Sequence, residues 1–287
     1  MGKSPSKGPE VIRLLIFDLD GVIYRGKRAL PYALETLELL KKGLSPRKQR
    51  LVPAKAGEDY KLFFLTNNST QSREQYVKKL AGLGIKCRKE EIMTSAYATA
   101  LYFQELKVGQ VNVFVVGGEG LVFELKAVGL NVLTTTHPLT IHYVVVGLDL
   151  DFNYQKLWQA QAAILSGAKF IATNRDATFP TEDGLMPGGG AIVSAVETAT
   201  KTTPLVIGKP ETYSLKKILD LAKVSAGETL MIGDRLETDI LAGKRLNLKT
   251  ALVLGGVCTK EEAERAPKEL KPDYVLGNLS ELPAILR

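Results

Sequence analysis

Short apolar runs closed by a polar residue or a glycine recur along the chain, and between them leucine and alanine return at helical spacing. Residues 11–17, interrupted only by Arg13, stop at Asp18; 62–65 stop at Thr66-Asn67-Asn68; 205–207 stop at Gly208-Lys209; and 229–232 stop at Gly233-Asp234. Each reads as a strand. Helices are expected at 31–42, where Leu34, Leu37 and Leu40 repeat, at 72–80 behind a serine cap, at 191–199 and at 213–222. Thr259 and Glu262 form a capping box that opens a last sizeable helix. A middle block alternates in the same way, with strands at 111–116, 143–146 and 170–172 and helices at 120–127 and 154–166. Such alternation implies the α/β class, a doubly wound parallel sheet with an inserted α/β domain. The expected layout is one discontinuous core, 1–93 with 188–287, interrupted by an insertion at 94–187 that closes in the turn-rich stretch 181–190.

Composition narrows the options. Hydrophobic residues make up 45% of the 287 and charged residues 24%, an ordinary globular balance. No apolar run nears the ~18 residues that span a bilayer, and the first ten residues lack the apolar stretch of a secretory signal. Cys87 and Cys258 stand far apart without a CxxC pair, so a reducing, cytoplasmic setting is expected. His137 and His142, the two histidines, are spaced wrongly for paired zinc ligands on a helix face. The start MGKSPS fits the loose myristoylation pattern, a match short enough to arise by chance.

The net charge of +7 is concentrated in two places. Lys3 and Lys7 supply +2; Lys41, Lys42, Arg47, Lys48, Arg50, Lys55 and Lys61, against Glu58 and Asp59, supply +5. This second segment, 41–61, reads as a solvated insertion around the Pro/Lys/Arg-rich surface loop 43–60, and its single aromatic, Tyr60, is too little for base stacking. Nucleic acid is therefore disfavoured as a partner. Gly117, Gly118 and Gly120 do not complete a dinucleotide loop, because Phe123 holds the third glycine position. Walker A and GxSxG patterns are absent.

In open parallel sheets the carboxyl ends of the strands share one edge, where ligands bind. Bringing the four strand ends together would assemble Asp18, Thr66, Lys209 and Asp234, with Asp20 and Asp239 close behind. Carboxylates gathered in this way call for a cation, and hard oxygen donors suit Mg²⁺. Beside a metal, one carboxylate can attack an electrophilic phosphorus, while lysine and hydroxyl steady the transferring phosphoryl oxygens.

FDLDGV (17–22), TNN (66–68), GKP (208–210) and GDRLETDI (233–240), in that order, resemble the four motifs of the haloacid-dehalogenase-like phosphatases. The insertion after the second motif, and TNRD with PGGGAI and VETA, resemble the NagD/p-nitrophenylphosphatase branch with its large α/β cap. The resemblance spans about 11–257 and implies a role for each matching residue. Asp18 would be the nucleophile that becomes an aspartyl-phosphate, and Asp20 the acid and base, also touching the metal through its carbonyl. Thr66 and the backbone amides of Gly21 and Asn67 would hold phosphate, Lys209 would pair with phosphate and Asp18, and Asp234 and Asp239 would complete the Mg²⁺ site. Asn174, Arg175 and Asp176 would lie on a cap loop over the substrate. The implied activity is a Mg²⁺-dependent phosphomonoesterase acting on a small phosphorylated metabolite, with a homodimer one option. A phosphotransferase using another acceptor and a non-catalytic phosphate-binding protein are the alternatives. The 43–60 segment departs from the family pattern without removing a motif residue.

Overall fold

The computed structural model describes residues 11–42, 44–47, 50–53, 60–135, 140–181 and 184–286. The basic start of the chain, Lys48, Lys55 and His137 lie outside the described residues. The chain divides into two compact units, one of residues 1–24, 29–63 and 218–287 and the other of 25–28 and 64–217.

In the first unit, Leu14–Asp18 pairs in parallel with Thr229–Gly233, which pairs with Lys249–Val253, which pairs with Tyr274–Leu276. The strand Lys61–Thr66 starts on the free side of Leu14–Asp18, where the Lys61 N–H donates to Arg13 O at 2.9 Å. Leu14 to Phe17, Leu230 to Ile232, and Ala251 to Val253 are all buried. Their unbroken apolar runs follow from burial on both faces, the usual state of a parallel strand. Short helices, Ala33–Lys41, Leu241–Arg245 and Lys260–Arg265, belong to the same unit. Thr259 caps the last of these through Glu262 N–H, as its sequence implies. A side cluster of Leu236, Ile240, Leu252, Cys258 and Ala263 seals one flank.

The second unit carries a five-stranded parallel sheet ordered Leu205–Val206, Lys169–Ala172, Tyr143–Val146, Asn112–Val116, Asn131–Leu133. The helices Tyr154–Leu165 and Gly189–Thr200 pack together, and Ala160, Ile164, Val193 and Val196 join Phe114, Val144, Val146 and Phe170 in its core. Ile92–Thr94 pairs with the end of Lys61–Thr66 and leads straight into the helix Ser95–Leu106, whose cap is Thr94.

These arrangements confirm the α/β class and correct two details. The sequence alternation assigns 191–199 and 205–207 to the first sheet; the register places Gly189–Thr200 and Leu205–Val206 with the second, Leu205 opposite Ile171 and Val206 opposite Ala172. A βα alternation states that a strand is parallel but not which sheet it joins. The described parts of 43–60 likewise form an antiparallel ribbon, Leu44–Arg47 with Arg50–Pro53, in place of an irregular loop. The turn-rich stretch contains a second such ribbon, Thr178–Thr181 with Gly184–Pro187.

Candidate active site

Two polar clusters form at strand ends, one in each unit. In the first, the register Phe17↔Ile232 brings the close of Leu14–Asp18 level with the close of Thr229–Gly233. Asp18 therefore emerges beside Asp234, and Asp239 reaches the same point from a single wide helical turn, Leu236–Ile240. All three side chains are buried, at 7%, 1% and 1% exposure, and each offers a carboxylate oxygen within 4.8 Å of the others.

The loops are shaped to permit this crowding. Gly21 sits at φ +91°, and a Cβ there would fall 2.1 Å from Asp234 Oδ2. A Cβ on Gly233 would fall 2.1 Å from that of Asp239. Only glycine fits so close an approach, and only glycine adopts Gly21's backbone without strain. Backbone donors partly satisfy the acids: Asp239 Oδ2 accepts from the N–H groups of Asp234 at 3.2 Å and Arg235 at 3.1 Å, and Asp234 Oδ2 accepts from Val257 N–H at 3.1 Å. Three buried carboxylates this near one another are costly unless a cation shares them. The donors are all hard oxygens, which fits a divalent ion of the magnesium or calcium kind.

Asp20 is half-buried on the same loop. The chain folds back so that Gly21 N–H donates to Tyr24 O at 2.9 Å and Tyr24 N–H to Leu19 O at 3.2 Å. That hairpin delivers the Tyr24 hydroxyl to Asp20 Oδ2, to which it donates at 3.0 Å. No local sequence pattern marks Tyr24 for this contact.

In the second unit the strand Lys61–Thr66 ends in Thr66, buried, whose Oγ1 accepts from Asn68 N–H at 3.1 Å. Asn67 is the hub. Its Nδ2 donates to Lys209 O at 2.9 Å and to Asp176 Oδ1 at 3.0 Å, while its Oδ1 accepts from Lys209 N–H at 2.9 Å. Its own carbonyl accepts from Ser95 Oγ at 2.5 Å and from Asn174 Nδ2 at 2.7 Å. Asn174 Oδ1 in turn accepts from Asp176 N–H at 3.0 Å. Lys209 is 2% exposed, so its ammonium belongs to the interior. The resemblance implied a phosphate role for the Asn67 amide; the structure adds a positioning role for its side chain.

The expected residues thus gather as Asp18, Asp20, Gly21, Asp234 and Asp239 in one unit, and as Thr66, Asn67, Asn174, Asp176 and Lys209 in the other. Arg175 stands apart: it is 41% exposed and forks onto both carboxylate oxygens of Glu197. Ser95 was also missed. It opens a helix of weak amphipathic pattern, and its one signal was the preceding Thr94, a good cap residue.

Comparison with known proteins agrees with this geometry. The haloacid dehalogenase-like hydrolase model matches residues 15–131, and a second HAD-hydrolase-like model matches 206–282. An acid sugar phosphatase of Staphylococcus saprophyticus is 36% identical over 93% of this chain and 95% of its own. Among solved structures, a glycerol phosphate phosphatase of Mycobacterium tuberculosis in complex with magnesium superposes with a TM-score of 0.83 at 31% identity, over 95% of this chain and 76% of that one. A p-nitrophenyl phosphatase from Archaeoglobus fulgidus gives a TM-score of 0.83 at 32% identity, over 96% and 99%. The chain belongs to the haloacid-dehalogenase-like hydrolases, in the branch that includes NagD and the p-nitrophenylphosphatases.

Proposed function

We propose that the protein is a phosphomonoesterase that cleaves small organic phosphates through an aspartyl-phosphate on Asp18. The observation that carries this reading is the buried convergence of Asp18, Asp234 and Asp239, each with an oxygen within 4.8 Å of the others. Asp18, Asp234 and Asp239, with the Asp20 carbonyl, would hold Mg²⁺, which when bound offsets their mutual repulsion and draws charge from the phosphoryl oxygens.

An Asp18 oxygen attacks phosphorus, and the ester P–O bond breaks. Asp20 gives its proton to the departing alkoxide, which needs one because it is a poor leaving group. The resulting Asp20 carboxylate then takes a proton from water as that water attacks the same phosphorus, and Asp18 is released with inorganic phosphate. Thr66, the Gly21 and Asn67 amides and the Lys209 ammonium hold the phosphoryl oxygens while charge shifts among them. An inserted α/β domain of the kind this branch carries would favour small substrates and the exclusion of water. The names of the relatives, an acid sugar phosphatase and a glycerol phosphate phosphatase, support a small phosphorylated metabolite.

The test is phosphate release over a panel of phosphomonoesters with and without Mg²⁺. Turnover that requires the ion and disappears in Asp18→Asn, with the fold retained by circular dichroism, is expected. Turnover surviving in Asp18→Asn would remove Asp18 as the nucleophile.

A further inference from the structure

We infer that Tyr24 is a positioning residue for the proton transfer, acting through Asp20. This deepens the phosphatase reading and rests on it. The Tyr24 ring is fully buried, at 0% exposure, although it lies only four residues beyond Asp20 in the loop that follows the first strand. A phenol in such a place is costly unless its hydroxyl has a partner, and an apolar ring would fill the same space without that demand. The hydroxyl has one in Asp20 Oδ2, at 3.0 Å.

The backbone makes this contact a fixed one. Gly21 N–H to Tyr24 O, Ile23 N–H to Leu19 O and Tyr24 N–H to Leu19 O close the loop on itself at 2.9, 2.9 and 3.2 Å, and a bridge joins Asp20 to Tyr24. The ring and the carboxyl are thus carried on one small rigid frame. Asp20 itself is half-buried and turns about two side-chain torsions, and the Tyr24 hydroxyl narrows the directions its carboxyl can take. By holding one oxygen, Oδ2, Tyr24 fixes the plane of the carboxyl that gives the proton to the leaving group and later takes one from water. The bond forms and breaks nothing covalent; it holds the reacting oxygen in register, where a displacement of an ångström lowers a rate by up to about a hundredfold.

The experiment compares Tyr24→Phe with the unsubstituted full chain on two probes that need the proton to different degrees, glycerol 3-phosphate and p-nitrophenyl phosphate. The quantity read is kcat/KM, which reports the phosphoryl-transfer half. Tyr24→Phe is expected to lose about tenfold on glycerol 3-phosphate and less than about twofold on p-nitrophenyl phosphate, whose leaving group departs without a proton. In an Asp20→Asn background the same replacement is expected to cost nothing further on glycerol 3-phosphate, since the residue through which it acts is already disabled. Equal losses on both probes, a full additional loss in the Asp20→Asn background, or no loss at all would each overturn the assignment. If the unsubstituted chain releases phosphate from neither probe nor from any other phosphomonoester, the phosphatase reading itself falls; a normal wild-type rate with an unaffected Tyr24→Phe rejects Tyr24 alone. Thermal unfolding of each variant, followed by circular dichroism, separates a folding defect from a kinetic one.

Discussion

Asn67 and Lys209, 142 residues apart in the chain, are joined by two reciprocal hydrogen bonds: Asn67 Nδ2 donates to Lys209 O and Lys209 N–H donates to Asn67 Oδ1, both at 2.9 Å. The amide side chain reads the lysine's backbone as a neighbouring strand would, so the lysine's position follows from the asparagine's. Asn67→Asp keeps the shape but replaces the donor with an oxygen that faces the Lys209 carbonyl. A loss of about 1–3 kcal/mol is expected for the broken and repelling contacts, together with a fall in kcat/KM of tenfold or more as Lys209 shifts. Chemical denaturation and steady-state kinetics on the same preparation check both.

Gly233→Ala should act on the acidic cluster rather than on the sheet. The added methyl would meet the Asp239 Cβ at 2.1 Å, so Asp239 must move. Mg²⁺ affinity measured by calorimetry is expected to weaken at least tenfold, while removing the ion with chelator lowers thermal stability less in the variant than in the parent, because the parent has more binding energy to lose.

Asp273 predicts a pH dependence of folding. Burial, the largest single influence, would raise its pKa, but the hydrogen bonds from Lys244 and from Thr250 Oγ1 and N–H, with the Lys244 charge, together outweigh it, and the carboxyl is held below its ordinary value. A depressed folded-state pKa means that the stabilisation is fully present above the unfolded value, about 3.9, and is lost as pH falls through the folded one. Asp273→Asn should therefore be less stable than the parent at pH 7, by about 0.5–1 kcal/mol, because solvent screens the partly exposed carboxylate. The gap should close below about pH 4, as followed by denaturation at a series of pH values.

Cys258 should resist alkylation. Burial, then the nearby Glu262, Glu237 and Asp234 carboxylates, raise its pKa to about 11. The thiolate that reacts is therefore scarce at neutral pH. Mass spectrometry after brief iodoacetamide treatment at pH 8 is expected to find the half-buried Cys87 modified well before Cys258; equal rates would contradict the thiol's environment.

Much of the molecule could be read before any coordinates. Strand ends at Asp18, Thr66 and Asp234 follow from apolar runs that stop at polar residues, and the caps at Ser72 and Thr259 occur where side-chain chemistry demands them. Ser95–Leu106 was invisible because small and apolar residues surround it almost evenly, which blurs the period that marks a helix face. The ion pair of Arg175 with Glu197 depends on a helix that returns alongside the loop, which no local pattern announces.

By itself the order of residues determined the α/β class, the parallel strands and the set of acids able to share a cation, since these depend on local period and on chemistry carried by each side chain. Only the tertiary structure decided which sheet Leu205–Val206 joins, that Asn67 grips Lys209, and that Tyr24 turns back onto Asp20. Pairing between strands and contact between distant side chains are settled by whole-chain packing, where many registers satisfy the local pattern and one buries the apolar surface while meeting the polar groups.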